Sequence, residues 1–129
     1  MRSESRADSR LFRSLSKALL DRGYSIRFRA HGRSMFPAIA DGDLVEVAPQ
    51  TNNSTGDVVL ISDDERLVAH RIVRADESNL ITRGDSCLEN DHTGDRTVLG
   101  RISAVLTAHG PRAPHTLRTR LRTLFSRLR

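Results

Sequence analysis

The stretch "HGRSMFPAIADGDLVEV", residues 31–47, decides how the chain is read. It sets Ser34 between Gly32 and Pro37, then continues through Gly42-Asp43 into an alternating apolar run. Gly32 frees the backbone on one side of the serine and Pro37 restricts it on the other. Met35 and Phe36 are apolar, so the loop is anchored or lies against an apolar surface. Two readings fit: a turn feeding a strand, or a nucleophilic serine held on a stiff loop. A serine hydroxyl is a weak nucleophile without a base, so the rest of the chain must supply one.

Working outward, "YSIRFRAH" (24–31) alternates as a half-buried strand does, and so does "DLVEVAP" (43–49). "DVVLIS" (57–62), "RLVAHRIVRA" (66–75), "NLITRGD" (79–85) and "TVLGRISAVLTAHG" (97–110) are further strand candidates. Turn-like segments link them, the longest being "SCLENDHTGDR". Many short strands at close spacing predict a mainly β fold, a folded antiparallel sheet or small barrel. Ahead of them, "DSRLFRSLSKALLDR" (8–22) reads as an amphipathic helix. Leu11, Leu15, Ala18 and Leu19 fall on one face, with Phe12 beside them. Asp8 or Ser9 is the expected N-cap, and Gly23 stands where a helix C-terminus favours glycine. Pro111 and Pro114 then break the chain, and "HTLRTRLRTLFSRLR" (115–129) reads as a second amphipathic helix with an arginine-rich face. The expected organisation is a helical segment over 1–23, a β domain over 24–110 and a basic helix over 111–129.

The length of 129 residues suits one domain. There is no Trp and few other aromatics, so the core rests on Leu, Val, Ile and Ala. The single cysteine, Cys87, excludes an internal disulfide and reads as an ordinary thiol. No apolar run resembles a signal sequence or approaches the roughly 18 residues of a membrane span, and the expected location is the cytoplasm. The net charge of +5 is uneven. Residues 1–110 carry 15 Lys+Arg against 16 Asp+Glu, while 111–129 carry six Arg and no acid. A uniformly basic nucleic-acid-binding domain does not look like this. The tail's apolar stripe and basic face instead suit packing on the domain's own sheet or an anionic membrane surface at the inner face.

The inventory of bases is short. The only lysine, Lys17, lies in the first helix, so a Ser–Lys dyad within the strand-rich body is excluded. Five histidines remain: His31, His70, His92, His109 and His115. His31 is three residues from Ser34, and His70 lies inside the apolar strand "LVAHRIVR". A third group must orient the base, and "ITRGDSCLENDH" offers Asp85, Glu89 and Asp91. The Asp and His of that loop match no standard metal-site spacing, and no cofactor is expected.

Taken in order, "GRSMFPAIADGDLVEV", "GDVVLI", "LVAHRIVR", "LITRGDSCLENDH" and "LGRI" resemble the type I signal peptidase family, in the wider group of serine peptidases that includes LexA-like self-cleaving repressors. The resemblance runs from about Gly32 to Ile102. His70-Arg71 is similar to the branch in which histidine replaces the more common lysine. It implies a signal-peptidase-like folded sheet acting on a peptide or protein substrate. It also implies Ser34 as nucleophile, His70 as general base and Asp91, six residues beyond Asp85, as orienting acid. Asp85 is then a supporting group or a rival for the third role, and Gly32, Arg33, Met35 and Pro37 border the substrate. The chain departs from the family pattern at Gly32, where a serine often assists the oxyanion hole, and in having no apolar N-terminal anchor. A LexA-like regulator has weaker support: no helix-turn-helix precedes the peptidase-like part, and no Ala-Gly dipeptide is present for self-cleavage.

Overall fold

The computed structural model describes residues 2–49, 52–63, 66–76, 79–92 and 96–114, with side chains from Arg10 onward. A helix, α1 (Arg2–Asp21), precedes seven strands. They are β1 (Ile26–Arg29), β2 (Leu44–Pro49), β3 (Val58–Asp63), β4 (Arg66–Ala75), β5 (Leu80–Arg83), β6 (Arg96–Thr107) and β7 (Gly110–Arg112). All pairings are antiparallel, in the order β1-β2-β6-β3-β4-β5, with β7 also on β6. The expected C-terminal helix over 115–129 lies outside the described residues. Among those described, no helix is long and apolar enough to cross a membrane.

The twelve-residue β6 organises the sheet. Its first half pairs with β3, as in Ile61↔Val98 and Leu60↔Gly100, and its second half with β2, as in Val47↔Ile102 and Val45↔Val105. Leu99 and Ser103 are the extra residues where those two registers shift. Such bulges bend a strand and sharpen its twist, so one continuous strand serves two half-sheets. Gly100 stands at the bend: a Cβ there would lie 2.7 Å from the Ala48 carbonyl oxygen and 2.8 Å from Val47 Cγ1.

The sheet folds but does not close into the small barrel that strand spacing also allowed. Among the described residues β1 pairs only with β2 and β5 only with β4. Both are four residues long, and backbone loops meet where a barrel would need their edges to pair. Ser86 N–H donates to the Ser34 carbonyl (2.8 Å) and Ser86 Oγ–H to the Phe36 carbonyl (2.6 Å). The loop after β1 is thus tied to the turn after β5 without a strand ladder.

β3 is buried on both faces, which explains its unbroken apolar run. Val58 and Leu60 join the main core with Met35, Ile39, Val45, Val47, Ile102 and Val105, while Val59 and Ile61 pack with Ile72 on the other side. Pro111 interrupts no strand: it sits within β7 opposite Leu106, on the short outer strand of a two-residue hairpin turn, where proline's missing N–H is tolerated.

α1 begins earlier than the expected cap at Asp8 or Ser9, and ends at Gly23 as expected. Gly23 N–H bonds the Leu20 carbonyl, Tyr24 N–H bonds the Leu19 carbonyl, and Gly23 has φ +88°. That is a Schellman ending, which glycine accommodates without a Cβ clash. The helix does not dock by its leucine stripe. Ser16 and Leu20 are buried against the sheet, and Phe12 meets Phe28 edge-on at 5.8 Å. Leu11, Leu15 and Leu19 stay largely exposed.

Candidate active site

Ser34 lies in the loop between β1 and β2. The loop's base is closed by Ala30 N–H to the Asp43 carbonyl and Gly42 N–H to the Ala30 carbonyl. The Asp41 carboxylate accepts from Gly32 N–H at 2.8 Å, and Gly32 has φ +96°. Met35, Ala38 and Ile39 are buried, so the next residue along plugs into the core and holds Ser34 at the surface of a cleft. Met35 Sδ also accepts from Asp85 N–H at 3.4 Å. The apolar pair after Ser34 is therefore split: Met35 anchors the loop and Phe36 is exposed.

His70 sits on β4 opposite Val59, with 8% of its surface exposed. Its Nε2 is 3.2 Å from Ser34 Oγ and its Nδ1 is 2.6 Å from Asp91 Oδ2. An ionised carboxylate only accepts, so Nδ1 carries the proton and Nε2 presents its lone pair to the serine hydroxyl. That is the tautomer a general base needs. Asp91 is placed by its own backbone, whose N–H donates to the Thr82 carbonyl on β5 at 2.8 Å. Burial works to raise the Asp91 carboxyl. Hydrogen bonds from His70 and Thr82, with the charges of His70 and Arg96, outweigh burial and hold it below the ordinary carboxylate value.

Asp85 is turned elsewhere. It forms a two-pronged pair with Arg71, Nε to Oδ1 at 2.8 Å and Nη2 to Oδ2 at 2.9 Å, both side chains almost wholly buried. Arg71 also donates from Nη1 to the Gly56 carbonyl and from Nη2 to the Pro114 carbonyl, each at 2.7 Å. The structure therefore brings Ser34, His70 and Asp91 into one line and gives Asp85 to the neighbouring arginine. Glu89 and His92 are exposed. His31 faces Asp41 at 4.0 Å rather than Ser34. Of the residues expected to border the substrate, Gly32 and Met35 line the cleft, whereas Arg33 and Pro37 are exposed outside it. Among the described residues no cluster of His, Cys, Asp and Glu is arranged to hold a metal ion.

Two residues enter the site that sequence reasoning passed over. Thr82, 1% exposed, donates its hydroxyl to Asp91 Oδ2 at 2.7 Å. Arg96 at the start of β6 reaches Asp91 Oδ2 and Thr82 Oγ1 at 3.3 and 3.0 Å. Neither carried a signal in the sequence, because both depend on which strands lie side by side.

The cleft at Ser34 encloses about 510 Å³. Buried Leu60 and Ile39 form its floor, with Phe28, Leu67 and Ala69 partly buried around them, and exposed His31, Asn90 and His92 lie at its rim. A serine hydroxyl faces an imidazole held by a carboxylate, at the mouth of a cleft of mixed polar and apolar lining, an arrangement compatible with serine-hydrolase chemistry. The family model for Peptidase S24-like proteins matches residues 3–102, and the chain belongs to that family. At the family level it is a peptidase, a hydrolase of peptide bonds. No curated protein matches the chain.

Proposed function

We propose that the chain is a signal-peptidase-like serine endopeptidase of the histidine-containing kind, cutting a leader or precursor peptide with Ser34, His70 and Asp91. One observation carries the reading: His70 bridges Asp91 at 2.6 Å and Ser34 at 3.2 Å, beside an open cleft. Ser34 Oγ attacks the peptide carbonyl carbon as its proton passes to His70 Nε2. The imidazolium, held through Nδ1 by Asp91, then protonates the leaving amine, the C–N bond breaks, and an ester on Ser34 remains. Water, activated by the same nitrogen, hydrolyses that ester. The Ser34 backbone N–H is the donor available to the oxyanion.

The substrate's path follows from strand pairing. β5 covers β4 only from Arg71 onward. Among the described residues no strand pairs with the edge of Arg66–His70 away from β3, which runs along the cleft. An extended peptide laid there adds a strand, with alternate side chains entering the cleft toward Leu60 and Leu67.

A second reading, a peptide-binding module with little turnover, is favoured by Gly32, which brings no side-chain hydroxyl to the oxyanion. Losing one such donor costs about 10²–10³ in rate. Cleavage of a diverse peptide library, read by mass spectrometry with Ser34→Ala as control, separates the two. Ser34-dependent cuts support the peptidase. Peptide affinity without cuts, unchanged by His70→Ala, supports the module. Conversion of the full-length chain itself to shorter masses on incubation would instead favour self-processing.

A further inference from the structure

Three hydrogen-bond donors converge on one oxygen of Asp91. His70 Nδ1 is at 2.6 Å, Thr82 Oγ1 at 2.7 Å and Arg96 Nη2 at 3.3 Å, all on Oδ2. Thr82 is the pivot of this arrangement. Its hydroxyl donates to Asp91 and accepts from Arg96 Nη1 at 3.0 Å. Arg96 Nη1 also reaches the His92 carbonyl at 3.4 Å, so one guanidinium ties the 91–92 backbone, β5 and the start of β6 together. The Arg96 side chain is 13% exposed, and its Nε is buried without a hydrogen-bond partner. Leaving a buried N–H unpaired is unfavourable, and a surface cation chosen for solubility would not be placed there.

We propose that Thr82 and Arg96 are positioning residues, fixing the Asp91 carboxylate against His70, and that the Arg96 charge sets the pH at which the His70–Asp91 pair becomes a working base. The inference rests on the peptidase reading for its effect on rate, but its physical core does not need turnover. The distances separate the two roles. Thr82 lies as close to Asp91 as His70 does and fixes the oxygen's direction. Arg96 is farther away and acts mainly through charge. A cation beside the carboxylate takes up part of the negative charge that would otherwise stabilise the imidazolium.

Other titratable groups lie near the pair: the Cys87 thiol and His70 Nε2 both approach the Gly84 position, at 2.8 and 3.1 Å from where a Cβ would stand. Arg71 and Asp85, on the adjoining β4 and turn, neutralise each other. His31 faces Asp41 across the nucleophile loop. Asp63 and Arg66 border the same cleft as opposite charges in register at the end of the β3–β4 hairpin, and His92 is exposed at the rim.

The test uses the full chain with Thr82→Val, Arg96→Met and Arg96→Lys, each first checked for native circular dichroism. Two readouts follow: kcat and KM against pH for a Ser34-dependent peptide, and proton NMR of the His70 Nδ1–H during a pH titration. Arg96→Met is expected to move the acid limb of the rate profile, and the NMR midpoint, upward by about half to one pH unit. Arg96→Lys should restore most of that shift. Thr82→Val should lower kcat by about tenfold with KM nearly unchanged, since a misdirected acid weakens the base and not the binding. If Arg96→Met fails to fold, Arg96→Gln, which keeps a hydrogen-bonding side chain without the charge, takes its place. Wild-type rate profiles and NMR midpoints in the folded Arg96→Met or Arg96→Gln protein, with wild-type kcat in Thr82→Val, would overturn the proposal. An NMR shift in a protein that cuts nothing would uphold the positioning network and remove only the peptidase reading.

Discussion

Gly84 offers the sharpest perturbation of the site, because a single methyl group there would press on both the Ser34 backbone and the His70 ring. A Cβ on residue 84 would lie 2.8 Å from the Ser34 carbonyl oxygen, 2.8 Å from Cys87 Sγ and 3.1 Å from His70 Nε2. Ordinary carbon contacts begin near 3.4 Å, so Gly84→Ala forces neighbours apart by about half an ångström. Cys87 can rotate away. The Ser34 carbonyl has less freedom, being held by Ser86 N–H at 2.8 Å. The Ser34–His70 contact is already 3.2 Å, the far end of useful hydrogen-bonding range. A misplacement of about 1 Å costs on the order of a hundredfold in rate, so a drop of about ten- to a hundredfold is expected. Stability should change far less. Gly84 does not occupy the left-handed region. Alanine therefore brings about 0.4–1 kcal/mol of unfolded-state stabilisation against roughly 1–3 kcal/mol of overpacking. The assay is the rate of Ser34 phosphonylation by a fluorophosphonate probe, alongside urea unfolding. Wild-type labelling by a folded Gly84→Ala protein would refute the close approach of β5's end to the Ser34–His70 pair.

Other outcomes follow from the same geometry. Asp91→Asn should lower Ser34-dependent cleavage by about 10²–10⁴, because an amide can stabilise the wrong imidazole tautomer; cleavage kinetics would show it. The same variant reports on acid stability. The folded Asp91 carboxyl is held below its unfolded value, so its contribution is full above about pH 4 and fades as pH falls through the folded value. Urea midpoints between about pH 6 and pH 2 should therefore fall less steeply for Asp91→Asn than for wild type. Arg71→Met leaves Asp85 buried and uncompensated and should cost about 3–5 kcal/mol, with Arg71→Met/Asp85→Leu recovering most of it; chemical denaturation tests both. Gly100→Ala should destabilise by about 1–3 kcal/mol through overpacking at the β6 bend, read as a lower melting temperature.

Ser34 and His70 carry local marks in the chain: Ser34 stands between a glycine and a proline, and His70 interrupts an apolar strand. Asp91 carries none, being one of several carboxylates in a polar loop, and it was the resemblance to the signal peptidase family that singled it out. Elimination also helped, since a body without lysine leaves histidine as the base. What was illegible depends on non-local pairing. Thr82 alternates in "LITR" like any strand threonine, and only the folded placement of β5, Asp91 and the start of β6 brings it beside Asp91 and Arg96. The exchange of Asp85 to Arg71 needed the β4–β5 register, Arg71↔Arg83, which no short motif encodes. The leucine periodicity of α1 was correct as periodicity. It did not reveal the docking face, because Ser16 fits closely against the sheet while the stripe beside it stays open. Strand spacing allowed both a barrel and a folded sheet. The choice rested on the 84–87 turn and the nucleophile loop meeting through backbone hydrogen bonds rather than a ladder.

The bend in β6 has a mechanical consequence. Ser34 hangs from the half-sheet of β1 and β2, while His70 and Asp91 belong to the half built by β3, β4 and β5. The two halves share one continuous strand, creased at Leu99–Gly100, and are latched across the open side by Ser86. The molecule resembles a clasp, with a spine at Gly100 and a catch at Ser86, and the reacting pair lies near the catch. On the peptidase reading, an angular change at the spine would be felt at the catch as a change in the separation of Ser34 and His70. Side chains packed along that crease, far from the cleft, would then bear on the chemistry as well as the residues that touch it.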